Sequence, residues 1–173
     1  FRHLDKDPVF RKLLSIEALA LDEDRVSQKS WKFLKRILRQ KNPLYRSIAL
    51  IILTTNGRPI LEHFLSAFDT FSYDVQAEAI PHITSTHMAL SYRFLLDRLI
   101  STPKEDFAGW IILHLGKSQY FFLPLLLCYL GFDQGVVRER MKLLLELMGW
   151  EKFRPYLRLF LILPHEQIFR DVF

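Results

Sequence analysis

Apolar residues return along this chain at helical spacing. In SWKFLKRILR, 30–39, Trp31, Leu34 and Leu38 stand at i, i+3 and i+7, which places them on one stripe of an α-helix. Similar runs are PILEHFLSAF at 59–68, MALSYRFLLDRLI at 88–100, YFFLPLLLCYL at 120–130 and KFRPYLRLFLIL at 152–163. No segment sustains a two-residue alternation. The Asn56-Gly57 pair follows a helical run instead of joining two strands, so it is not a hairpin signal. The pattern predicts an all-α protein.

Between these runs lies a second set of stretches that align with one another. They are DPVFRKLL at 7–14, NPLYRSIA at 42–49, SYDVQAEA at 72–79, TPKEDFAG at 102–109 and QGVVRERM at 134–141. Four of the five open on a residue whose side-chain oxygen accepts from a free N–H at a helix start: Asp7, Asn42, Ser72 and Thr102. Pro8, Pro43 and Pro103 follow at the first helical position, where a missing N–H costs nothing. Three residues on stand Arg11, Arg46, Gln76, Asp106 and Arg138 in the five stretches, at intervals of 35, 30, 30 and 32 residues. Ala49, Ala79 and Gly109 then supply a small residue that lets a neighbouring helix come close. Gly57, Gly116 and Gly149 are the expected left-handed helix stops, with Asp22 and Ser85–Thr86 in the equivalent places. The apolar runs of the first paragraph come after these stops.

The order of cap, proline, arginine, small residue, glycine and second helix resembles the HEAT repeat family. The likeness is closest to the short bacterial type found in phycobilisome-lyase-like repeat proteins. It spans residues 6 to about 163. Asp106 stands where the pattern has arginine, the fifth stretch lacks the proline, and the first unit has a long charged connection at 22–29. The resemblance implies a right-handed α-solenoid of about five helix–turn–helix units, at about 6–40, 41–70, 71–101, 102–132 and 133–163. First helices would be convex and second helices concave. It also implies that the register arginines, Arg11, Arg46 and Arg138, bond caps and carbonyls of an adjacent unit. The physical logic agrees, because one helical pair cannot bury its apolar stripe alone and units must stack.

Composition supports a packed fold. Half of the 173 residues are apolar and only 6 are glycine, so the chain can bury a core of single-domain size and does not have the makeup of a disordered segment. The single cysteine, Cys128, allows no intrachain disulfide; it points to a buried thiol in a reducing, cytoplasmic compartment. The chain opens on Phe1 and closes on an apolar PHEQIFRDVF, which is expected of a piece of a longer protein.

Candidate chemistry is sparse. His3, His63, His82, His87, His114 and His165 form no His-Glu-x-x-His pair, and one cysteine excludes a cysteine-based zinc site. His82 and His87 could meet across a turn, where a polar turn is the simpler reading than a metal site. The glycines make no phosphate loop, and no Gly-x-Ser-x-Gly elbow is present. Asp22, Glu23 and Asp24 read as a solvated loop. No enzyme, cofactor or metal is expected from these residues.

The polar feature that stands out is KSWKFLKRILRQK at 29–41, with six cations and no acid. Lys32, Lys35, Arg36 and Arg39 stand at i, i+3, i+4 and i+7 and form one basic stripe opposite Trp31, Leu34 and Leu38. On a concave second-helix face this stripe would be joined by Arg93 and Arg98, then by Arg154 and Arg158. Such a groove suits an acidic protein surface or, as the alternative, a nucleic-acid backbone. Glu62, Asp69, Asp97 and Glu105 are interspersed and weaken both. HEAT-like solenoids include alkylpurine DNA glycosylases, the remote alternative. Trp110 and Trp150 are the aromatics that reading needs, but their settings favour core and packing roles. The net charge of +5 is compatible with any of these.

QYFFLPLLLCYLGF at 119–132 carries no charge. Fourteen helical residues rise about 21 Å, short of a hydrocarbon core of about 30 Å, so no transmembrane segment is expected. The register makes it the second helix of the fourth unit, with Pro124 near the first turn as Pro155 is in the fifth. It is apolar all round. Its Tyr120, Phe121 and Phe122 side is expected to be an interaction patch, for another protein or for a second copy of the chain. The sequence thus predicts a protein-interaction scaffold with candidate contacts at Lys32, Lys35, Arg36, Arg39, Arg93, Arg154, Arg158, Tyr120, Phe121 and Phe122.

Overall fold

A computed structural model of the chain describes residues 6–23, 27–86, 88–117 and 135–149, the side chains of 21–23 aside. The runs expected to be helical at 120–130 and 152–163 lie outside the described residues, as do Tyr120, Phe121, Phe122, Arg154, Arg158, His87, Cys128 and Trp150. Among the described residues the fold is all-α, with eight α-helices and no strand. They are α1 (Pro8–Glu23), α2 (Gln28–Leu38), α3 (Pro43–Thr55), α4 (Arg58–Ser66), α5 (Tyr73–Ser85), α6 (Ala89–Ser101), α7 (Glu105–Lys117) and α8 (Gly135–Met148). A 3-10 turn at Phe68–Thr70 ends the α4 segment.

The helix starts follow local chemistry. Asp7 Oδ1 accepts from the N–H groups of Val9 and Phe10 at 2.7 and 3.1 Å. Asn42 Oδ1 accepts from Leu44 and Tyr45 at 3.1 and 3.4 Å. Pro8 and Pro43 open α1 and α3. Ser72 occupies the cap position of α5 without a side-chain bond; its carbonyl takes the Gln76 N–H at 3.0 Å. Tyr45 also donates its phenol proton to Asp7 Oδ2, so the cap of α1 is tied to α3. That bond, with the cap bonds from Phe10 and Val9, holds the Asp7 carboxyl below its usual value of 3.8. The same bond pushes the Tyr45 phenol above 10.0.

The chain divides into two compact units, Phe1–Thr86 and His87–Phe173. In the first, α3 is central and packs against α1, α2, α4 and α5. Ala49 and Ala79 are fully buried there, as small residues at a helix contact should be. Leu34, Leu38, Leu50, Leu53, Leu61 and Phe64 are fully buried too. Each such side chain contributes about 1.5–3 kcal/mol over its exposed state. In the second unit α7 packs against α6 and α8, and α6 against α8.

Three expectations are corrected. Gly116 is not a helix stop: it lies inside α7 and is buried against α8, where an added Cβ would stand 2.5 Å from Leu147 Cδ2. Gly109, expected to admit a neighbouring helix, is exposed and faces open space. Thr102 does not cap α7, which begins at Glu105 with Pro103 ahead of it. Instead its hydroxyl accepts the Lys104 N–H at 3.3 Å, the Lys104 carbonyl takes the first helical N–H from Ala108 at 3.0 Å, and the Thr102 carbonyl accepts from Arg140 Nη1 at 2.9 Å. The stops at Gly57 and Gly149 hold, with φ of 98° and 78° in the left-handed region.

Candidate functional site

Helix α2 forms although its sequence stacks like charges at repelling distances. Ser27 caps it, its hydroxyl oxygen accepting the Ser30 N–H at 3.2 Å. Phe33, Leu34, Ile37 and Leu38 are buried on one side. Lys35 and Arg36 lie in the last turn, where the negative end of the helix dipole attracts cations. Burial and dipole together offset the repulsion.

The basic stripe divides in the structure. Lys32, Arg36 and Arg39 are exposed, whereas Lys35 is half-buried. Lys35 Nζ lies 5.3 Å from the Trp31 ring centroid and 5.8 Å from that of Phe71. Arg36 Cζ stands 5.3 Å from the Phe33 ring, and Lys12 Nζ of α1 lies 4.4 Å from the same ring. Cations this near a ring are attracted by about 0.5–1 kcal/mol at exposed sites. Trp31 in turn meets His63 of α4 edge-on, with centroids 4.3 Å apart. Among the described residues no carboxylate pairs with Lys32, Lys35, Arg36 or Arg39, although Arg58 is answered by Glu62 at 2.7 Å and Arg46 by Glu78 at 2.9 Å. The surface is therefore a basic face that no carboxylate among the described residues neutralises, and its Lys35 and Arg36 side chains rest on aromatic rings. It can bind anionic groups, and no nucleophile or acid–base pair is built into it.

Of the other candidates, Arg93 is exposed on α6, in the second unit. Arg98, on the same helix, sits with its Cζ 5.2 Å from the Phe94 ring. Trp110 is not the core residue its apolar surroundings predict; it is 40% exposed and meets His114 edge-on at 4.7 Å.

The register position makes polar contacts at two places, though at Arg46 the partner is a carboxylate side chain and not the cap or carbonyl that the resemblance implies. Arg46 pairs with Glu78 of α5. Gln76 Nε2 donates to the carbonyls of Phe68 and Phe71, at 3.2 and 3.1 Å, in the segment before its helix. In the second unit the residue that reaches carbonyls in this way is Arg140, two positions beyond Arg138, and the sequence reading missed it. Arg140 is buried; its Nη1 donates to the Leu99 and Thr102 carbonyls at 2.7 and 2.9 Å, and its Nη2 meets Glu105 Oε1 at 2.6 Å. No local signal separates it from Arg138, because its partners lie 35 to 41 residues away.

Two histidines are shifted toward their neutral forms. Burial lowers His82 against the pull of Glu78. Burial and then Lys117 lower His114. Among the described residues no group of three or more histidine, cysteine or acidic side chains is placed to hold a metal ion. No helix among them is long and apolar enough to cross a membrane. Comparison with protein-family models, with curated proteins and with solved structures found no match.

Proposed function

We propose that the chain is a single HEAT-like repeat domain over 1–173, a right-handed α-solenoid of about five units, and that it works as a non-catalytic protein-interaction scaffold. The packing of the expected first helices supports this: α1 and α5 both lie against α3, and α7 lies against α8. The functional part rests on one observation, the α2 face whose cations no carboxylate answers among the described residues. A scaffold needs shape and surface only, which fits a site without acid–base or nucleophilic constellations.

Site-specific photo-crosslinking tests it. A photoreactive residue is placed at Arg36 on α2 and, separately, at Ser15 on α1. The expected result is a discrete protein adduct from position 36 and none from position 15. An adduct with nucleic acid alone from position 36 supports the nucleic-acid alternative, and no adduct at all refutes the scaffold reading for this face.

A further inference from the structure

We infer that the α2 face is a docking site for a short carboxylate-rich protein segment. The inference rests on the scaffold reading and names the chemistry of its partner. Charge complementarity is the first ground. Lys32, Arg36 and Arg39 are exposed without a carboxylate partner among the described residues. From Lys32 to Arg39 a helix rises about 10 Å. An extended peptide places same-side carboxylates about 7 Å apart, so two or three of them span the stripe.

The second ground is preorganisation. Arg36 rests on Phe33 and Lys35 on Trp31 and Phe71. Flexible cationic side chains normally lose much freedom on binding, and side chains already held lose less.

The third ground separates an acidic peptide from nucleic acid. Single-stranded binding draws on aromatic faces free to stack with bases. Here Phe33 and Phe71 are buried, and Trp31 is engaged by Lys35 and His63. A duplex brings one charge per about 1.7 Å of its axis, about six over a stripe of about 10 Å, more than Lys32, Arg36 and Arg39 answer.

The experiment is fluorescence anisotropy with a labelled ten-residue polyglutamate peptide, at low and at moderate salt. The expected result is saturable binding that weakens with salt. It falls at least tenfold in the variant Lys32→Gln, Arg36→Gln, Arg39→Gln, with unchanged helical circular dichroism. A control variant of equal charge loss, Lys6→Gln, Lys104→Gln, Lys117→Gln, changes affinity less than twofold. Absence of binding, or equal loss in both variants, overturns the inference. So does a decathymidylate competitor, or vesicles of anionic lipid, that displaces the protein from the peptide at lower concentration than unlabelled peptide does. If the peptide fails while crosslinking from position 36 still captures a protein, the partner chemistry is wrong and the scaffold reading stands. If both fail, the scaffold reading falls too.

Discussion

Arg140 and Arg36 are the same side chain in opposite circumstances. Arg140 is buried, and its two terminal nitrogens donate to two backbone carbonyls and Glu105. Arg36 is exposed and rests on the face of Phe33. The first joins α8 to the end of α6 and the start of α7, and nothing of its charge is left for a partner. The second keeps its hydrogen-bonding edge for one. Two arginines thus differ in role because of where their acceptors are, and this difference can be broken by substitution.

The largest expected effect is at Arg140. Arg140→Met keeps the bulk of the side chain and removes the donors to Leu99 and Thr102. The loss should be about 2–4 kcal/mol in urea denaturation, since acceptors in a buried setting are left unsatisfied. Glu105 adds little to that cost, because its side chain is 72% exposed and stays hydrated. Arg140→Lys should recover only part, since an ammonium cannot reproduce the fork. Arg36→Met should change stability by no more than about 0.5 kcal/mol. Equal costs at the two sites would show that Arg140 is not the structural member of the pair.

The next effect compares two glycines of one helix. Gly116→Leu drives a side chain into Leu147 and should cost about 1–3 kcal/mol. Gly109→Ala meets open space and should stabilise α7 by about 0.5–1 kcal/mol through helix propensity. The double variant Gly116→Ala, Leu147→Ala should be less destabilised than the sum of its singles, a coupling read from a double-mutant cycle. Additive effects would mean that α7 and α8 do not meet at Gly116.

These particular residues show what a sequence carries and what it does not. Asp7, Asn42, Pro8, Pro43, Gly57 and Gly149 were legible because caps, first-turn prolines and left-handed stops are set within four residues of the chain. Gly116 was misread because a glycine near the end of a helical run has the same local signature whether it stops the helix or admits a neighbour. Thr102 was misread because Pro103 and Lys104 stand between it and the start of α7, and its carbonyl serves Arg140, 38 residues away. The amphipathic stripe of α2 was legible from spacing alone. That Lys35 folds back over Trp31 and Phe71 was not, because Phe71 arrives from the segment after α4. Local rules placed the elements, and tertiary acceptors decided which cation is bonded within the fold and which has no carboxylate partner among the described residues.

A smaller effect is expected where α1 is capped, and it depends on pH. Hydrogen bonds from Tyr45, Phe10 and Val9 keep the Asp7 carboxyl below 3.8. A group whose folded value is lowered stabilises the fold above its unfolded value, and that stabilisation is lost as pH falls through the folded one. The Asp7 contribution is therefore intact at neutral pH and disappears below about 3.8. Asp7→Ala should lower the thermal midpoint by about 4 °C at pH 7. The gap from the wild type should narrow as pH falls below 3.8. A gap that stays constant would show that the ionised carboxylate is not the stabilising form. Arg140→Met should show no such narrowing, because an arginine does not titrate in this range.

The smallest effect is expected where binding should change most. Neutralising Lys32, Arg36 and Arg39 removes repulsion between charges three and four residues apart, a gain of a few tenths of a kcal/mol. It also removes the contact of Arg36 with Phe33 and one favourable charge in the last turn of α2, losses of about the same size. The sum should lie within about 0.5 kcal/mol of zero in urea denaturation, and it should shift upward at low salt, where the repulsion is less screened. A structural role for the stripe predicts the contrary, a loss of 1 kcal/mol or more. That result would place Arg36 beside Arg140 and remove the ground for a docking face. A near-zero change, set against a tenfold loss of peptide binding, is the outcome in which these cations serve a partner and not the fold.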